Sequence, residues 1–103
     1  TLADLRKSDL SQANFQNAHL KDANLNGANL SNAILNGANL SRAQLNEALI
    51  QRADLRGANL NRVQGLTCDQ ILSAVIDKKT RLPDYISLTG SLESEYICVH
   101  SPK

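Results

Sequence analysis

A large apolar residue recurs at every fifth position: Leu5, Leu10, Phe15, Leu20, Leu25, Leu30, Leu35, Leu40, Leu45, Ile50, Leu55 and Leu60. Ala stands two residues before each of them, from Ala3 to Ala58, except at Ser8. Between the two stands Asp or Asn at Asp4, Asp9, Asn14, Asn24, Asn29, Asn39, Asp54 and Asn59. A period of five excludes a long helix. Five residues turn an α-helix by about 500°, so successive Leu side chains would be smeared around its surface. It excludes a straight strand too, because an odd step sends successive Leu side chains to opposite faces. The period is met if each block is a short extended piece followed by a corner. Leu and the Ala two before it then point inward, and the Asp or Asn between them points out. The corner falls on pairs such as Asn26-Gly27, Asn36-Gly37, Arg56-Gly57, Ser11-Gln12 and Ser31-Asn32, residue types suited to tight turns. Pieces of this kind wind into a solenoid whose coils stack by backbone hydrogen bonds at about 4.8 Å. Strand twist and crossover chirality make the expected winding right-handed.

Composition agrees with a narrow interior. Hydrophobic residues make up 42% of the chain but aromatics only 3%, with no Trp or Met. The axis must therefore be filled by Ala, Leu and Ile rather than by large rings. Walls converging on one narrow axis require the small Ala beside each Leu, because a larger side chain would overpack it.

The blocks A-N-L-N-G, A-N-L-S-N, A-N-L-S-R and A-D-L-R-G resemble the pentapeptide-repeat family over about residues 3–62. The resemblance implies a right-handed quadrilateral parallel β-helix with four blocks per coil, hence about three coils. Inner columns would join Leu5, Leu25 and Leu45; Leu10, Leu30 and Ile50; Phe15, Leu35 and Leu55; and Leu20, Leu40 and Leu60.

The repeat ends at Val63-Gln64-Gly65, which sets a solenoid over residues 1–65. Thr67 with Gln70 three residues later forms a capping box, and Leu66 with Ile71 a hydrophobic staple. Ile71, Leu72, Val75 and Ile76 fall on one stripe at helical spacing. Lys78 and Lys79 suit a last turn, and Pro83 lies beyond. A helix is expected over 68–79, closing the solenoid within a segment 66–83; a partner-binding helix is the competing reading. This stretch also resembles the ending of short cyanobacterial members of the family. Residues 84–103 are too apolar for an ordinary disordered tail. Tyr96 to Val99 suits a short strand or strap, folding back over Ile34 and Leu49, two apolar residues at outward positions. Cys68 and Cys98 lack CxxC spacing, so one bridge and two unpaired thiols both stay open, the unpaired reading being preferred.

Catalytic patterns are missing. His19 holds an outward position, and no phosphate loop, nucleophile elbow or metal-spaced Cys/His set occurs. No catalytic residue, cofactor or metal is expected. The rows of Asp and Asn are read as turn and surface residues. No apolar run approaches the ~20 residues of a membrane span. Some members of the resembled family bind DNA gyrase by imitating duplex DNA, using long acidic rods. Here residues 1–62 hold seven Lys and Arg against five Asp and Glu, a net of 7 − 5 = +2. A non-catalytic scaffold for an unknown protein partner is therefore ranked first, and topoisomerase mimicry lower. Weak polyanion binding would use an edge of Lys21, Arg42 and Arg62, with Arg52 and Arg56 nearby. The first coil offers an open backbone edge, so an end-to-end homodimer through it is a further expectation. Two locations fit: cytoplasmic, or exported to the periplasm or thylakoid lumen if Thr1 is a processed terminus.

Overall fold

The computed structural model describes residues 4–90 and 96–100. Within the repeats, each block contributes one outward residue to a parallel bridge with the residue twenty positions on. Four columns result: Asp4, Asn24, Gln44 and Gln64; Asp9, Asn29 and Leu49; Asn14, Ile34 and Asp54; His19, Asn39 and Asn59. Partners are thus four blocks apart. Each contact is a single bridge rather than a long strand, because two of every five residues are spent on a corner.

Every corner is built alike. The N–H of the Ala position donates to the C=O of the preceding Leu position, as in Ala28 to Leu25 at 3.0 Å and Ala38 to Leu35 at 3.0 Å. The second corner residue has positive φ throughout: Lys7, Gln12, Asn17, Asp22, Gly27, Asn32, Gly37, Arg42, Glu47, Arg52, Gly57 and Arg62. A turn with its third residue left-handed reverses the chain within four residues. Only three of these twelve are Gly, so at the others an L side chain tolerates the left-handed region at modest cost.

The interior is hydrocarbon. Leu25, Leu30, Leu35, Leu40, Leu45, Ile50, Leu55 and Leu60 are at most 2% exposed, and the Ala residues from Ala23 to Ala58 at most 3%. Leu20 is buried at 8%. Leu5, Leu10 and Phe15 are only half-buried against the same core, because nothing among the described residues stacks on their outer side.

After Val63 the pattern changes for a steric reason. Gly65 takes the place of a Leu with φ +84, and a Cβ there would lie 2.8 Å from the Asn46 Cα. The chain then enters α1, Cys68–Ser73, with the Thr67 and Gln70 capping box in place. The helix is half the expected length. Ala74 is extended at φ −96 and ψ 171, and Val75 and Arg81 bridge to Asp54 and Asn59. The last columns explain the stop. Val75 accepts from Leu55 N–H and donates to Ala53 C=O; Arg81 does the same for Leu60 and Ala58. A helix spends its own N–H and C=O groups internally and could not serve them. Val75 consequently leaves the expected buried stripe and is 44% exposed; Leu72, within α1, is 48% exposed, while Ile71 is buried and Ile76 is half-buried against the core.

The expected strand at Tyr96 to Val99 forms, but its place differs from expectation. Strands β1, Ile86–Gly90, and β2, Tyr96–His100, pair antiparallel, with Leu88 opposite Cys98. They do not cover Ile34 or Leu49, which stay exposed at 38% and 46%. Cys68 and Cys98 are joined, against the preferred unpaired reading, with Cα atoms 5.7 Å apart. The hairpin brings β2 to the start of α1, a juxtaposition that a spacing of 30 residues does not reveal. In the loop-closure account a ring of this size stabilises the fold by about 3–4 kcal/mol.

Two substitutions test the register. Leu30→Asp places a carboxylate at a site 1% exposed, and should cost at least ~4 kcal/mol and abolish a cooperative melt. Asn29→Asp keeps the oxygen that accepts from Ser31 N–H at 3.0 Å and should melt within about 0.5 kcal/mol of the parent. Gly65→Ala, blocked by the Asn46 backbone, should cost about 1–3 kcal/mol in a denaturant titration.

Candidate interaction surface

With the axis filled, the described residues of the repeats offer only outward and corner side chains for contact. The outward Asp and Asn side chains already have a task. In each of the eight blocks that carry one, its Oδ1 accepts the backbone N–H two residues on: Arg6, Ser11, Gln16, Asn26, Ser31, Ser41, Arg56 and Asn61, at 3.0–3.3 Å. This Asx bond holds the corner. The carboxylate rows are therefore turn closures, not paired acids and bases. Asp54 and Asp4 are also held by Arg56 and Arg6, each through two side-chain bonds of 2.9 and 2.8 Å. Those bonds keep both carboxyls below their ordinary value and both guanidinium groups above theirs. Asp9 is lowered by the Ser11 hydroxyl and N–H.

The four remaining outward positions are His19, Ile34, Gln44 and Leu49. None makes an Asx bond, since none is Asp or Asn. Gln44 instead accepts from Asn26 Nδ2 at 3.0 Å.

The expected basic edge does not form as a column. The twenty-residue register aligns Arg42 and Arg62 with Asp22, and puts Lys21 one position over, with Ser41 and Asn61. Asp22 pairs with Arg42 at 3.3 Å. A shallow depression of about 320 Å³ lies here, lined by Asp22, Arg42, Gln44, Arg62 and Gln64. Arg52 and Arg56 stand elsewhere, on the corners flanking Asp54.

Over the last columns, side chains replace backbone groups. Gln70 Nε2 donates to Ala48 C=O at 2.8 Å, the acceptor that Val75 and Arg81 N–H meet at Ala53 and Ala58. Thr80 Oγ1 donates to Leu55 C=O at 2.8 Å. The Tyr85 hydroxyl donates to Val63 C=O and accepts from Leu66 N–H, and burial raises its pKa. Asp77 Oδ1 accepts from Gly57, Lys79 and Thr80 N–H at 3.0–3.1 Å. Burial pushes its pKa up, but these bonds and the Thr80 hydroxyl outweigh it, so the net shift is downward. Of the side chains that make these bonds, sequence reasoning singled out only Gln70, through the capping box. Asp77, Thr80 and Tyr85 follow no repeat and left no signal.

Among the described residues, no group of His, Cys, Asp and Glu could hold a metal, and no helix is long and apolar enough to cross a membrane. The family model for pentapeptide repeats matches residues 1–37 and 23–62, with eight copies. A crystal structure of a pentapeptide repeat protein from the cyanobacterium Cyanothece 51142 is 32% identical over 78% of this chain and 60% of that one, with a TM-score of 0.36. The chain thus spans less than two thirds of that protein's length. Another, from Nostoc Pcc 7120, is 28% identical over 82% of this chain and 77% of that one, with a TM-score of 0.36. No curated protein shows significant similarity.

Asp77 gives a pH prediction. Its folded pKa lies below the ordinary 3.8, so its contribution is present above that value and is lost as pH falls through the lower, folded one. Hydrogen exchange at the Gly57 amide should accelerate in that acid window. In Asp77→Asn, which keeps the acceptor oxygen without the charge, the acid step should vanish.

Proposed function

The chain belongs to the pentapeptide-repeat family, and from that premise we propose that it is a non-catalytic scaffold that presents fixed rows of side chains to a protein partner. In the finer reading, residues 1–65 are a right-handed quadrilateral β-helix of about three coils. Residues 66–83 close its C-terminal end, and 84–103 follow as an appended segment. The twenty-residue bridges support four blocks per coil. The bonds from Gln70, Val75, Thr80 and Arg81 to the last columns support the closing role.

One observation carries the functional reading. Among the described residues no buried side chain is polar or charged, so the interior offers nothing to a substrate. The outward Asp and Asn are committed to their corners. What is left is a rigid surface whose side chains stand at spacings set by the backbone ladder. Repeat solenoids use such extended faces for binding.

Gyrase mimicry is the weaker alternative, because it asks for an acidic face and residues 1–62 carry a net of 7 − 5 = +2. Polyanion binding loses support from the Asp22–Arg42 pair. Cross-linking mass spectrometry in an extract of the native organism tests the scaffold reading. Lys21, Lys78 and Lys79 should link recurrently to one protein, and links only within the chain would sink the reading. DNA supercoiling by gyrase should be unchanged at micromolar chain; inhibition there would move mimicry to first place.

A further inference from the structure

Ile34 and Leu49 occupy outward positions at which eight other blocks place an Asp or Asn that closes its own corner. The fold gives no reason for an aliphatic side chain there. The Asx bond is forgone, and the side chains remain 38% and 46% exposed. Leu72 and Val75 are also exposed, at 48% and 44%.

Arg52 is bonded to the segments that carry Ile34, Leu72 and Val75 and lies three residues after Leu49. This residue is the left-handed member of the corner between the Leu49 and Asp54 blocks. Its Nε donates to Asn32 Oδ1 at 3.0 Å, two residues before Ile34. Its backbone N–H donates to Ser73 C=O at 2.7 Å, one residue after Leu72 and two before Val75. The Arg52 side chain is exposed, and among the described residues no carboxylate pairs with it. The nearest in sequence, Asp54, is already held by Arg56 at 2.8 Å.

We propose that this corner is a docking surface for a protein segment that carries a carboxylate between aliphatic side chains. The proposal rests on the scaffold reading and names the face it uses. Arg is among the residues on which interfaces concentrate their energy, and the exposed aliphatic side chains on the segments bonded to it supply apolar area to bury around it. With Nε fixed by Asn32, the two terminal nitrogens are left to grip one carboxylate from a defined direction. The uncompensated positive charge selects an acidic segment over a basic one.

Selection of a random phage-displayed peptide library on the whole chain tests the proposal. Enriched peptides should carry Asp or Glu flanked by Leu, Ile or Val. Arg52→Glu should lose at least about tenfold in affinity for them. The double variant Ile34→Asn, Leu49→Asn restores the corner-closing residue at both positions. It should melt no lower than the parent and still lose at least about tenfold. No enrichment, or peptides lacking carboxylates, would overturn the proposal. Peptide binding that survives in both variants would also overturn it, while leaving the scaffold reading intact on another face. Light scattering covers the remaining occupant: a dimer abolished by Arg52→Glu would assign the corner to a second copy and overturn the acidic segment.

Discussion

Everything in this structure depends on each block finding its backbone partners twenty residues away. A single extended residue per block cannot form a sheet with its neighbours in sequence. It can do so only with the block above and the block below, as Asn29 does with Ser8 and Leu49 with Ala28. That demand sets the period, forces a left-handed residue at every corner, and points Leu and Ala at the axis. It also leaves backbone groups without repeat partners once the blocks stop after Val63. At the C-terminal end the sequence stops repeating and serves the leftover groups one at a time. It uses main chain at Val75 and Arg81, and side chains at Gln70, Asp77 and Thr80.

The periodic part was legible because its physics is periodic. Leu30 and Ala28 are buried for the same reason as Ile50 and Ala48, so one rule reads all the blocks. The segment after the repeats was only half legible. The Thr67–Gln70 box is local, and it formed as its spacing requires. The helix end was not legible. Apolar periodicity favours continuing through Val75, whereas the unpaired groups of Ala53 and Leu55 require extended chain there. Tertiary hydrogen bonding outweighed helical pattern, and nothing within 66–80 announces it. The disulfide escaped for a similar reason, since its geometry is decided by a hairpin that a window around either cysteine does not contain. The basic edge was legible to within a single position: Lys21, Arg42 and Arg62 share one corner, but a column is defined modulo twenty, and Lys21 is one residue out of phase with Arg42 and Arg62.

The Asx bonds separate stability from display. Where Asp or Asn closes a corner, the residue is explained by the fold it supports. His19, Ile34, Gln44 and Leu49 are the outward residues that this requirement leaves open, and Gln44 is taken up by Asn26. Pattern-breaking residues are therefore more informative about contact than the conspicuous carboxylate rows. The charges point the same way: two of the ion pairs among the described residues, Asp4 with Arg6 and Asp54 with Arg56, close within a single block.

The bond between Cys68 and Cys98 has a mechanical meaning as well as a thermodynamic one. It closes residues 68–98 into a ring that hides roughly 100 Å of contour length, at about 3.3 Å per residue. Tension applied beyond Cys98 passes through sulfur to Cys68 and enters the solenoid at Thr67 and Leu66. Val75 and Arg81 sit on the slack side of the ring, so the bonds they make to the last columns bear none of that load. The end of the solenoid is thus held by contacts that cannot be peeled from the C-terminal side while the ring is closed.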